Sequence, residues 1–231
     1  MVRSDIFIIL LAGIIHATLQ LGVGALLLLY HASLGKHVRK KTRELASNYI
    51  LGNAFLTLLA VPAAAFMIGV VFQGQMNPGT MTIAIGILAA LAISVWAFYF
   101  RLGKSTELWL PKSIAKFINK RAELTESKTE AFSLGMLACF AEAPFTFMLV
   151  IVSANSIIAL PLGLQILMVF IYVLLSILPL AILRIAVRKG ETVVDIQKWR
   201  LRNKKFLRVV SGVGFLVLAL FLLAFKVIGA A

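Results

Sequence analysis

The sequence predicts an all-α integral membrane protein with six transmembrane helices. Three observations predict it: composition, apolar run length and the placement of charge. Hydrophobic residues make up 61% of the 231-residue chain and charged residues 14%. Mean hydropathy is +0.99. A soluble domain is closer to half apolar and a quarter charged. This composition excludes a soluble globular enzyme and a disordered chain. One cysteine, Cys139, excludes a disulfide-stapled secreted domain.

The apolar runs fall at roughly 5–30, 47–72, 80–101, 131–153, 161–184 and 207–228. Each is long enough to cross a hydrocarbon core, which takes about 20 residues. None alternates with period two, as a membrane β-barrel strand does. Backbone polar groups in lipid must be satisfied within their own segment, so the runs are helices. The first run follows Arg3 but has no small-x-small cleavage site after it. It reads as a resident span rather than a signal peptide.

The connections orient the spans. The stretches 31–45, 101–128 and 184–208 hold 21 of the 23 Lys and Arg residues. The connections around Gln73–Gly79 and Asn155–Leu160 hold none. Basic loops stay in the cytoplasm, so both termini are expected outside. The formal net charge of +14 is therefore topological, and no nucleic-acid partner is expected. An anionic inner leaflet is the expected partner of the basic loops.

Within 101–128, Pro111 suits a first helical position. Ile114, Phe117, Ile118 and Ala122 then share one face, with Lys112, Lys116, Lys120 and Arg121 around it. This predicts a short amphipathic helix on the cytoplasmic surface, an anchor first and a gate or partner site second. Residues 191–203 read as a less regular second one.

The chain compares with itself. Residues 12–33 align with 134–155 at an offset of 122. Gly13 then meets Gly135, Gln20 meets Glu142 and Gly22 meets Pro144. The second helices align more loosely at 117, where Pro62 meets Pro179. Three spans per half make the halves opposite in direction, a 3+3 inverted-topology repeat. The units are 1–103, a cytoplasmic linker 104–128, and 129–231. Gly22, Gly24 and Pro144 are expected to kink or break the helices that frame a midplane site.

This pattern resembles the lysine exporter superfamily of six-span inverted-repeat proteins. The phrase Gly135-Met-Leu-Ala-Cys-Phe-Ala-Glu-Ala-Pro144 is similar to the fourth span of its thiol-electron carriers. The phrase Ala12-Gly-Ile-Ile-His16 resembles the first span of its nickel/cobalt exporters. The thiol carriers need a cysteine in each half, and here the counterpart of Cys139 is Ala17. The metal exporters follow the histidine with acidic and histidine residues, and here Gln20 and Leu21 stand there. The branch stays open. The resemblance implies the inner membrane of a prokaryote and transport out of the cell.

Glu142 is the one acidic residue deep in a span. Such a residue is costly in lipid and often marks an ion or solute path. One reading is a carboxyl that changes protonation with access. The other is a permanently neutral acid hydrogen-bonded to Gln20 or His16. His16 and Gln20 share a helix face, as do Glu142 and Thr146. These four are the candidate substrate and coupling residues. Asn53 with Thr57, and Tyr172 with Ser176, are secondary candidates that could equally be hydrogen bonds between helices. Cys139 reads as a packing residue. His16 and Glu142 make a poor metal site, so neither a metal nor a cofactor is expected.

No catalytic constellation or phosphate loop appears, so the chain is not read as an enzyme or an ATP-driven pump. Two functions remain. One is a secondary transporter that exports a small polar solute or ion by alternating access, with proton coupling. The other is a non-transporting scaffold or accessory subunit that kept the fold. A homo-oligomer is compatible with either.

Overall fold

The computed structural model describes residues 2–20, 39–98, 112–188, 198–199 and 202–230. All secondary structure among them is helical. In chain order the helices are α1 (Val2–Thr18), α2 (Arg39–Phe72), α3 (Pro78–Phe98), α4 (Lys112–Leu124), α5 (Lys128–Ile158), α6 (Leu162–Arg188) and α7 (Lys204–Leu222). A π-helical turn, Leu223–Val227, and a short 3₁₀ turn, Ile228–Ala230, close the described chain.

Five helices, α2, α3, α5, α6 and α7, are long and apolar enough to cross a membrane. They correspond to the second through sixth predicted runs. The first run is only partly described: α1 covers 17 residues, and the rest of 5–30 lies outside the described residues. The predicted surface helix is α4. Most of the second, 191–203, lies outside them too.

The surface is turned inside out relative to a soluble protein. Large apolar side chains point outward: Phe66 and Val70 on α2, Ile83 on α3, Phe140 on α5, Leu174 on α6 and Leu220 on α7. A soluble monomer rarely exposes so continuous an apolar surface. Lipid removes that cost.

Packing follows the small residues. α2 lies chiefly against α5, α3 against α7, and α1 against α5 and α6. At the α2–α5 crossing, Gly52 faces the Phe132 carbonyl and Gly135 faces the Tyr49 carbonyl. A Cβ at either glycine would overlap the opposing backbone. Without a hydrophobic drive between helices in lipid, such close approach supplies much of the association.

The two run in parallel, because Tyr49 lies level with Gly135 and Thr57 level with Cys139. α1 and α7 run antiparallel, with contacts Asp5–Lys226, Ile15–Gly214 and Thr18–Ser211 along their length.

The two uncharged connections share one end of the bundle. There the Met76 backbone N–H donates to Asn155 Oδ1 at 2.7 Å. Helix α4 lies at the other end. Ser127 and Glu130 close a capping box at the start of α5, which fixes the turn between α4 and α5.

Two apolar clusters fill the interior. The larger, with Ile8, Ile9, Leu88, Leu149 and Phe215, belongs to the end where α1 begins. The smaller joins Ala46, Tyr49, Leu134 and Leu183 with Ile118 and Ala122 of α4. α4 is thus more than a surface anchor: its apolar face closes one end of the bundle.

Prolines 62, 144 and 179 all sit inside helices that continue past them. Where a kink or break was expected at Pro144, the helix is not broken: α5 is helical from Lys128 to Ile158. Neighbours on α1 and α2 support α5, and a membrane helix so held tolerates one lost hydrogen bond. α1 does stop early. It ends at Thr18, well within the predicted first span. Gly22 and Gly24 lie outside the described residues.

Candidate functional site

The polar residues collect where α1, α2, α5 and α6 meet. α1 contributes His16 one turn from its C-terminal end. There the helix tightens: Leu19 N donates to His16 O at 3.0 Å and Gln20 N to Ala17 O at 3.4 Å. Thr18 Oγ1 donates to the Ile15 carbonyl.

His16 is almost wholly enclosed, at 1% exposure. Its Nδ1 lies 3.0 Å from the Tyr172 hydroxyl of α6. Its Nε2 lies 3.9 Å from Glu142 Oε2 of α5, with the carboxyl equally enclosed. A tautomer with the proton on Nε2 accepts the tyrosine hydroxyl proton at Nδ1 and aims its N–H at the carboxyl. Protonating the ring instead gives it two N–H donors. The acid and base are close enough to pass a proton with a small movement or through one water. Buried charges persist only when paired, so an imidazolium here implies a carboxylate beside it.

α2 supplies a further wall, packed along α5. Tyr49 is fully buried and lies within electrostatic reach of both Glu142 and Cys139. Thr57 Oγ1 donates to its own helix at Asn53 O, 3.0 Å, and lies 3.5 Å from Cys139 Sγ. Between them, one turn from each, stands Asn53. Its amide is completely enclosed, and among the described residues neither the nitrogen nor the oxygen has a hydrogen-bond partner. The same holds for the Gln20 amide, at 3% exposure. An unpaired buried polar group costs about 1–3 kcal/mol. Gln20 lies one turn beyond His16 in sequence, and Asn53 stands on α2 beside the Gly135 crossing.

All eight sequence-predicted polar candidates are buried. They are not equal in role. His16 is in reach of both Glu142 and Tyr172, one at each ring nitrogen. Gln20 does not bond Glu142. Thr146 Oγ1 donates to the Glu142 carbonyl and Ser176 Oγ to the Val173 carbonyl, so both hydroxyls are satisfied by their own helices. Cys139 is more than filler, since its thiol meets Thr57.

No protein family, no curated protein and no solved structure matches this chain.

Besides Tyr49, an ion pair escaped the sequence reading. Asp5 of α1 and Lys226 of the π-helical turn form an ion pair at 2.5 Å, with side chains 1% and 8% exposed. The signal was present. Lys226 and Arg3 are the two basic residues left over when the three basic connections are counted. Lys226 falls inside the sixth apolar run, at the same end of the bundle as Asp5. A lone cation and a lone acid there had reason to meet.

Among the described residues, no group of three or more His, Cys, Asp and Glu side chains could hold a metal ion. A two-member His–carboxyl set falls short of a metal ligand sphere.

Proposed function

We propose that the chain is a secondary transporter, an exporter of a small polar solute or ion in the inner membrane of a prokaryote, coupled to protons at Glu142 and His16. The observation that carries this reading is the enclosed His16–Glu142 pair beside two unpartnered amides, lying between two separate apolar clusters. A cluster that only held helices together would satisfy its own members. Here Asn53 and Gln20 are left open while the hydroxyls of Thr146 and Ser176 are not.

Pairing supports the 3+3 inverted repeat. Exchanging the halves turns the α1–α6 contact into the α5–α2 contact and maps α3–α7 onto itself. Gly13 sits against Leu175 and the Tyr172 ring, and Gly135 against Tyr49. The glycines are 122 residues apart and the tyrosines 123. The packing favours this common register for the second helices over 117. α1, which ends at Thr18, then fits the discontinuous helix that such transporters place at the midplane. With the basic connections inside, Asn53 and Tyr49 lie on the cytoplasmic side of Glu142, and the larger apolar cluster seals the outer side.

The test is a thermal-shift panel in detergent, wild type beside Glu142→Gln, with the amino acids, divalent cations and small organic anions and cations at several pH values. A ligand at 100 times its Kd stabilises by about 2.7 kcal/mol. We expect a compound that stabilises the wild type and not the variant. In proteoliposomes, Glu142→Gln should then lose uphill flux of that compound under a proton gradient while keeping exchange. A flat panel with an equally folded variant would replace this reading with a scaffold or accessory subunit.

A further inference from the structure

Between α4 and the start of α5 lies a groove of about 260 Å³ that the transport cycle leaves unused. We propose that it holds an anionic phospholipid of the adjacent leaflet, with an acyl chain in the groove and the phosphate at Arg121.

Part of its lining is apolar: Phe117 and Leu124 from α4, Leu134 and Leu137 from α5. Phe117 is 50% and Leu124 62% exposed, so apolar surface stays open on the helix that lies along the bundle end. The rim carries small hydroxyls, Ser133 among them, and one cation. Arg121 stands at that rim with its guanidinium 5.5 Å from the Phe117 ring centre. The ring holds the guanidinium by its face, which leaves the planar donor edge for a phosphate.

One acid, Glu130, also lines the groove. Its carboxylate accepts the backbone N–H groups of Glu126 and Ser127 at 2.9 and 3.2 Å. It is committed to the start of α5, although its field still reaches Arg121. The nearby Lys128 is likewise engaged, at 2.9 Å from Glu44. Arg121 is therefore the groove's cation. Charge complementarity with apolar cover below it fits a lipid. Free phosphate would leave the floor bare, and a zwitterionic lipid would bring its own cation to the guanidinium.

Occupancy has a structural consequence. Ile118 and Ala122, on the buried face of α4, close the smaller apolar cluster. A lipid wedged between α4 and α5 would hold that closure in place.

The experiment titrates dioleoyl phosphatidylglycerol or dioleoyl phosphatidylcholine into the full-length protein in detergent, read by native mass spectrometry. Phosphatidylglycerol should bind at least fivefold more tightly. Arg121→Gln should weaken it about fivefold, the worth of one basic residue at an anionic surface. Ser133→Trp, at an exposed position, should fill the groove and weaken both lipids. Lys120→Gln, on the same helix but off the groove, should leave the preference intact.

Equal binding of the two lipids would overturn the proposal. So would a loss in Lys120→Gln matching that in Arg121→Gln, which would indicate diffuse surface charge. Inorganic phosphate displacing the lipid at millimolar concentration would reassign the site to a free anion. None of these outcomes depends on solute transport.

Discussion

At His16 the chemistry of a whole imidazole is visible in two contacts. One nitrogen meets a phenol, the other a carboxyl, and all three side chains are buried. Tyr172→Phe should cost about 1 kcal/mol, the scale of one hydrogen bond between membrane helices. Unfolding in mixed micelles measures it. The Asp5–Lys226 pair is different in kind. Removing one partner leaves an uncompensated buried charge, so Asp5→Asn should destabilise by about 3 kcal/mol. The double variant Asp5→Asn/Lys226→Gln should recover more than half of that loss. Strictly additive losses would mean that the two side chains do not act as a pair. Glu142 was legible in the sequence because an acid in an apolar run is conspicuous. The Tyr49 phenol was not, since tyrosine is ordinary near a membrane interface and only packing shows it facing Glu142.

At the level of helices, small residues decide which faces meet. Gly135→Ala should destabilise by about 1–3 kcal/mol or more, because the added methyl meets backbone, which cannot turn aside as a side chain would. Gly69→Ala, with nothing within 4 Å of its would-be Cβ, should be neutral or better by the same assay. Helix existence was legible from run length, and α4 from the spacing of its apolar face. α1 ends at Thr18, and the expected kink or break at Gly22 and Gly24 falls outside the described residues. Pro144 reads as a breaker by its missing N–H, yet the neighbours packed on α5 keep the helix whole. Tertiary support of that kind has no signature in a local window.

For the whole molecule the charge pattern makes the sharpest forecast. In a Cys139→Ala background, Gln75→Cys should react with a membrane-impermeant maleimide in intact cells. Lys120→Cys should react only after permeabilisation. The reverse result would invert the assigned orientation. The structure groups the two uncharged connections at one end and α4 at the other, so both positions report on one axis. The proposed repeat rests in sequence on the first helix of each half, where glycine and polar residues align. The second helices align more loosely, proline to proline, at 117. Contacts between Gly13 and Tyr172, and between Gly135 and Tyr49, align tyrosines that no apolar scoring would single out.

The glycine contact between α2 and α5 also has a mechanical meaning. Where side chains intervene, helices slide by switching rotamers, a little at a time. At the Gly52–Gly135 crossing backbone rests on backbone, and no side chain lies between to yield. There the two helices should move as a single spar, and a rearrangement of the bundle would turn about its flanks, where His16 of α1 meets Glu142.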